Sequence, residues 1–231
     1  MTLLKRQFLV ALLCAGISAP AFGDGAPLPD QKAPVVQDQP ALADAGDAGQ
    51  GPLLRRVEDY LNGIQSLEAG FIQRGPDGGV AEGTLSLERP GKLRFDYEDD
   101  IPLLLVSDGT TLTFVDYDVK QVTRWPIMDT PLGILVAKEI DLSGDMIVST
   151  YQDEGGLLRV TIKDPKRMDE GYISLIFEQN PMVLRAWDAI DAQGLVTRIT
   201  LVNAETNVDL AKSLFTFKDP RALPFSGRRR R

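Results

Sequence analysis

The sequence contains no histidine and only one cysteine, Cys14. Lacking imidazole, it can form neither His-dependent triads nor imidazole bases, and nearly all zinc sites are excluded. Cys14 lies inside an N-terminal apolar run, so a chain that loses this run has no disulfide and no thiol chemistry. Long hydrophobic stretches are also missing. The run from Phe8 to Ile17 is too short to span a bilayer comfortably, and no other segment approaches that length. Basic residues are outnumbered, 25 Lys and Arg against 33 Asp and Glu, for a net charge of −8. Such acidity argues against nucleic acid and against general attraction to anionic lipid.

The N-terminus has the layout of a secretory signal peptide over residues 1–23: Lys5 and Arg6, the apolar run, then small residues around Ala19-Pro20-Ala21. Cleavage after Ala21 and after Gly23 both fit. Cleavage removes Lys5 and Arg6 and no acid, which takes the net charge from −8 to −10. Leu12-Leu13, rather than small residues, precede Cys14, which speaks against its acylation. The mature chain is expected to be soluble and exported. Residues 24–51 are rich in Ala, Pro, Gly, Asp and Gln, offer little that could pack, and read as a disordered linker. A folded domain is expected over 52–225, followed by a basic tail, 226–231, ending in Arg228 to Arg231.

Within the domain, Leu53, Leu54, Val57, Leu61 and Ile64 recur at helical spacing behind Pro52, which predicts an amphipathic helix over about 53–65. From Leu67 onward the pattern is one of strands and turns. The stretch Glu82 to Asp99 organises it. Leu85 and Leu87 share one side of a strand, Arg89-Pro90-Gly91 interrupts, and Leu93, Phe95 and Tyr97 then alternate with Lys92, Arg94 and Asp96. Short spacings between later strands, out to Leu195–Val202 and a last short strand at Phe215–Phe217, predict hairpins and an antiparallel meander. One insertion, Thr130 to Ile140, carries Leu132, Leu135, Val136 and Ile140 at helical spacing, with Asp129 or Thr130 as a cap.

A meander with two helices must bury an apolar face. Its inward candidates are Leu85, Leu87, Leu93, Phe95, Tyr97, Leu112, Phe114, Val160, Ile162, Ile173, Leu175 and Phe177. Two readings of this set stay open: an ordinary core, or a curved sheet that keeps a greasy cavity with the helices as its cover. Two readings of Arg89 stay open as well: a solvated turn residue, or a cation at the rim of that cavity. Asp96, Glu98, Asp99, Asp100, Asp116 and Asp118 gather near strand ends, and paired carboxylates can hydrolyse glycosides. Here they scatter on turns without a tight signature and read as a solvated acidic surface. Asp116, Asp118 and Asp153 do not reproduce a calcium loop. No catalytic residue, metal ligand or cofactor is assigned.

Several stretches taken in order resemble one family, the periplasmic outer-membrane lipoprotein carriers of the LolA type. They are Phe71-Ile-Gln-Arg74, Gly83-Thr-Leu85 running into Arg89-Pro90-Gly-Lys-Leu-Arg-Phe95, Leu105-Val-Ser-Asp-Gly109, Gln121-Val122, Thr130-Pro131-Leu132 and Phe215-Thr-Phe217. The resemblance covers Leu53 to about Pro220. It implies a mainly β fold with some α: an open, incomplete antiparallel barrel, a curved meander lidded by helices, that carries acyl chains and is not an enzyme. It also implies that Arg89 matches the arginine that ties the lid shut through lid carbonyls. Leu93, Phe95 and Tyr97 match cavity-facing sites, and Leu85, Leu87, Leu112, Phe114, Leu132 and Leu135 complete the expected acyl-chain cavity. The implied partners are acylated lipoproteins, an inner-membrane ABC-type releasing complex and an outer-membrane acceptor. The implied state is a periplasmic monomer without a cofactor. A LolA-fold sensor or scaffold that binds another lipid or a protein, and carries no lipoprotein, is the other reading. The long linker and the Arg-rich end depart from the family pattern.

Overall fold

The computed structural model describes residues 50–222 apart from 99, 143, 153, 154 and 168. The expected signal peptide with Cys14, most of the linker, the basic tail, Asp99 and Asp153 lie outside the described residues.

Helix α1 spans Gln50–Asn62. Pro52 sits in its first turn, where a missing N–H costs nothing. Val57 and Leu61 are fully buried, and Leu53, Leu54 and Tyr60 pack beside them. The Tyr60 ring meets Phe177 edge-on at 5.9 Å, and its hydroxyl accepts the Leu184 N–H at 2.9 Å. The helix stops at Asn62 rather than near 65, and the Gly63 N–H closes its last turn on the Asp59 carbonyl. Ile64 is still buried in the same core.

Eleven strands follow: β1 (Ser66–Arg74), β2 (Val80–Glu88), β3 (Lys92–Tyr97), β4 (Leu103–Asp108), β5 (Thr111–Asp116), β6 (Gln121–Pro126), β7 (Ile147–Gln152), β8 (Leu158–Lys163), β9 (Tyr172–Gln179), β10 (Met182–Ile190) and β11 (Val196–Thr206). All pair antiparallel in a single sheet ordered β6-β5-β4-β3-β2-β1-β11-β10-β9-β8-β7. The order differs from a plain meander. Two meanders are joined at the centre, where the first strand pairs with the last from Leu67↔Thr206 to Arg74↔Arg198. Strands β6 and β7, consecutive in sequence, are the two outer edges and do not pair. The result is an open, incomplete antiparallel barrel.

Between these edges the described residues of 127–146, all but 143, form a strap. Sequence spacing predicts a helix over 130–140 there; the structure has a 3₁₀ turn, η1 (Ile127–Asp129), and a single helical turn, α2 (Gly133–Val136). Thr130 is extended and Ala137 leaves helical geometry, so the apolar spacing is met by one turn plus extended chain. The expected cap is not made: the residue before α2 is Leu132, and the Thr130 hydroxyl donates back to the Ile127 carbonyl at 2.8 Å. Close packing accounts for the shortness. A Cβ at Gly133 would sit 2.9 Å from the Ile127 oxygen and the Met128 Cα, so η1 and α2 are folded tightly on one another.

The expected strand at 215–217 is also replaced. A 3₁₀ turn, η2 (Lys212–Phe215), leads into extended chain that crosses the outer face of β3 and β4. Arg94 donates to the Leu214 and Thr216 carbonyls at 3.0 and 3.2 Å, and Phe217 covers an outer cluster of Leu104, Val106 and Val115. Strands β4 and β5 are therefore buried on both faces, which is why β4 reads as a near-continuous apolar run.

Candidate functional site

The concave face carries the main core. Alternation puts Leu93, Phe95 and Tyr97 inside while Lys92, Arg94 and Asp96 face out. Leu85, Leu87, Leu112 and Phe114 come from the neighbouring strands, and Val160, Ile162, Ile173, Leu175 and Phe177 from the opposite half. Leu132 and Leu135 close over them from the strap, and Val57 and Leu61 from α1. All nine residues expected to line an acyl cavity belong to this one cluster, none more than 8% exposed. Aromatic rings form its floor. Phe71 packs edge-on against Phe95 at 5.1 Å and Tyr97 at 5.2 Å, and Phe95 reaches Trp187 of the opposite half at 6.3 Å. The Tyr97 hydroxyl donates to Gln73 Oε1 at 2.8 Å. Burial pushes the Tyr97 phenol far above its ordinary value, against a smaller downward effect of the Gln73 bond.

A cavity of about 330 Å³ adjoins this cluster under the strap. Met128, Ile134 and Ile140 of the strap face Ile162 of β8 and Ile173 of β9 across it, with Glu139, Asp164, Arg167 and Glu170 among its lining. None of the nine expected cavity residues lines it, although Ile162 and Ile173 belong to the same core.

Arg89 sits in the turn between β2 and β3, half-buried. Its Nε donates to the Leu135 carbonyl of the strap at 3.0 Å, and its Nη1 donates to the Leu61 carbonyl at the end of α1 at 2.7 Å. A guanidinium placed on helix-terminal carbonyls also meets the negative end of the helix dipole. Burial lowers the Arg89 pKa. Among the described residues it forms no ion pair with a carboxylate. The solvated-turn reading is therefore set aside on geometry.

Arg89 has company that residue types alone did not point to. The Gly91 N–H donates to the Val136 carbonyl at 2.7 Å. Gly91 needs to be glycine: its φ is +78°, and a Cβ would lie 2.0 Å from the Gly109 oxygen. The Asn62 amide pairs both ways with the Ile140 backbone at 2.9 Å, and Glu58 accepts the Leu142 N–H. On the far side, Arg167 donates to the Met128 carbonyl and pairs with Asp129 at 2.8 Å. Apart from the Arg167–Asp129 ion pair, these ties are made to or from strap backbone. A backbone partner leaves little trace in sequence.

The carboxylates do not converge. Asp96 is taken by Arg94, and buried Asp116 accepts the Asp118 and Val119 N–H groups of its own turn. Among the described residues no group of three or more Asp, Glu, His or Cys is placed to hold a metal ion, and no helix is long and apolar enough to cross a membrane.

The family model described as "Outer membrane lipoprotein carrier protein LolA" matches residues 62–218. An outer-membrane lipoprotein carrier protein of Pseudomonas syringae pv. syringae is 30% identical over 193 residues, covering 79% of this chain and 88% of the relative. One of Legionella pneumophila (strain Corby) is 29% identical over 180 residues, covering 72% and 86%. Among solved structures, a LolA superfamily protein of Nitrosomonas europaea aligns over 71% of this chain and 97% of its own, at 10% identity and a TM-score of 0.40.

Proposed function

From the chain's membership of the LolA family of outer membrane lipoprotein carriers, we propose that its domain is a periplasmic chaperone that holds the acyl chains of lipoproteins in its apolar interior and shuttles them from the inner to the outer membrane. The observation that carries the proposal is the lid. The concave apolar face is closed by α1 and the strap, and one side chain, Arg89, donates to backbone carbonyls of both. Such a cover can come off without breaking the sheet.

Magnitudes support a reversible carrier. Each buried acyl methylene is worth about 0.8 kcal/mol, so a chain of roughly sixteen carbons gains on the order of 10 kcal/mol by leaving water. The two charge-assisted bonds of Arg89 are worth about 1.5–3 kcal/mol each. An acyl chain therefore competes successfully with the closed lid. Reclosure of the lid over its own core then helps expel the chain once another apolar site is offered. In this reading Arg89 is the latch, and Leu85, Leu87, Leu93, Phe95, Tyr97, Leu112, Phe114, Leu132 and Leu135 part to make the acyl-chain cavity. The 330 Å³ space under the strap is a place for such parting to begin.

The work needs no cofactor and no catalytic group. The signal-peptide reading of 1–23 supports export to the periplasm, with the expected 24–51 linker shortened to end before Gln50, where α1 begins, the expected 52–225 carrier domain extended back to that residue, and 226–231 as a tail. Loading from an inner-membrane ABC-type releasing complex, delivery to an outer-membrane acceptor and a monomeric state complete the proposal. Mass spectrometry of the protein purified from its own periplasm tests it. Co-purifying triacylated lipoprotein is the expected result. Free lipid or a protein partner with no lipoprotein would replace the carrier by a sensor or scaffold on the same fold.

A further inference from the structure

Among the described residues one buried side-chain polar atom has no hydrogen-bond partner: Nε1 of Trp187. The residue is 1% exposed and lies on β10, facing the concave side. Its cross-strand neighbours Leu175 and Ile199 are fully buried, and its nearest aromatic contact is Phe95 on the opposite half of the sheet. An indole nitrogen can only donate. Buried tryptophan usually finds an acceptor, and a native donor left without one calls for a reason.

The inward placement of this side chain is enforced. Asp188, the next residue, is buried on the outer face, where Arg159 holds it at 2.6 Å and Arg198 at 2.6 and 2.9 Å. Anchoring Asp188 outward turns Trp187 inward, because alternate residues of a strand face opposite ways. A register shift in β10 between Leu184 and Ala186 lies immediately upstream, the kind of irregularity that re-aims side chains. The chain thus spends a bulge and an ion-pair cluster around a buried carboxylate on keeping an unsatisfied donor on the apolar side.

We infer that the Trp187 N–H is a recognition group for a carbonyl oxygen of the cargo's acyl ester or amide. The inference rests on the carrier reading above. The residues placed against Trp187, namely Leu175, Ile199 and Phe95, are apolar, so an acceptor attached to an apolar body suits the approach to it. An acyl chain linked through an ester or amide has that form: hydrocarbon to displace Phe95, with a carbonyl at its head. In the closed state the donor stays unsatisfied, which weakens that state. In the loaded state it is paired in a low-dielectric enclosure, where a hydrogen bond counts for most. Trp187 would therefore distinguish acylated cargo from an equally greasy molecule without a carbonyl.

The test pairs a fluorescent dipalmitoylglyceryl-cysteine peptide with its dihexadecyl ether counterpart, which keeps the hydrocarbon and lacks the carbonyls at the chain heads. The wild-type chain should bind the ester about tenfold more tightly than the ether, the worth of one well-placed hydrogen bond. Trp187→Phe keeps a ring in place and should bring the ratio close to one, chiefly by weakening ester binding. A second readout needs no variant. The chain has two tryptophans, Trp125 and Trp187, so isotope labelling gives two indole N–H resonances, and Trp125→Phe assigns them. The Trp187 resonance should move downfield with the ester peptide and not with the ether. Equal binding of ester and ether by wild type, a ratio that survives Trp187→Phe, or an unmoved resonance at ester saturation overturns the inference and leaves the carrier reading standing. Failure of wild type to bind either peptide overturns the carrier reading itself.

Discussion

Replacing Arg89 by Leu removes two bonds at once, one to α1 and one to the strap. Each charge-assisted bond is worth about 1.5–3 kcal/mol, and water replaces part of it because the side chain is only half-buried. A net loss of about 2–4 kcal/mol in the closing of the lid follows. At 1.4 kcal/mol per factor of ten, the ratio of open to closed rises roughly 30- to 700-fold. The global fold should suffer less, since the β1–β11 ladder does not depend on Arg89. Hydrogen exchange separates the two effects. The Gly91 amide, which donates to the Val136 carbonyl, and the Ile140 amide, which donates to Asn62, report on the strap. Both should exchange faster by the factor above, while amides of the central ladder barely change. Lys at position 89 should fall between wild type and Leu, because an ammonium lacks the fork of fixed donors that reaches two separate carbonyls. In the periplasm, Arg89→Leu should accumulate as a complex with lipoprotein while delivery falls. Strap protection within about threefold of wild type would refute the argument and reduce Arg89 to a residue whose loss costs no more than about 0.5 kcal/mol.

Three further outcomes follow from other parts of the fold. Burial alone would raise the Asp188 pKa, but hydrogen bonds from Arg198 and Arg159 outweigh it and hold the carboxyl below its ordinary value. Its stabilising contribution is thus full above the unfolded value of about 3.9 and fades as pH falls through the lower folded value. Asp188→Asn should cost about 2–4 kcal/mol at neutral pH, held down by the partial exposure of both arginines, and should flatten the acid limb of a stability–pH curve. Gly83→Ala should destabilise by about 1–3 kcal/mol or more in denaturant titration, since a Cβ there would lie 2.1 Å from the Asp96 oxygen and 2.9 Å from the Phe71 ring. Deleting residues 24–49, stopping short of Gln50 where α1 begins, should leave the thermal midpoint nearly unchanged; a drop of many degrees would mean that the segment packs on the domain.

Local patterning was legible wherever a residue's environment repeats with the strand or helix period. Leu93, Phe95 and Tyr97 alternate with Lys92, Arg94 and Asp96 because one face of β3 is core, and the sequence states that alternation directly. The strand expected at Leu195–Val202 starts one residue late, at Val196, and runs on to Thr206, where it pairs with β1. Helical spacing was a weaker guide at 130–140. Apolar residues at that spacing can also be satisfied by one turn and extended chain laid on a greasy floor, and the packing of Gly133 against Ile127 and Met128 chose the latter. Phe215 to Phe217 read as a strand because alternating aromatics suit a sheet surface; they lie across one, with the Leu214 and Thr216 carbonyls claimed by Arg94 rather than by an edge.

What the sequence by itself determined is therefore the alternation of each strand, the single apolar concave face, the helix behind Pro52 and the position of Arg89 in a turn. What tertiary structure decided is how distant segments meet. The pairing of β1 with β11 joins residues more than a hundred positions apart and turns one meander into two. It leaves β6 and β7 as unpaired edges and obliges residues 127–146 to cross the open side as a strap. Arg89, Gly91 and Asn62 acquire their partners only then, because those partners are mostly backbone atoms, which every residue carries and no side-chain pattern announces. The same holds for Trp187, whose solitary N–H is a property of what surrounds it in space.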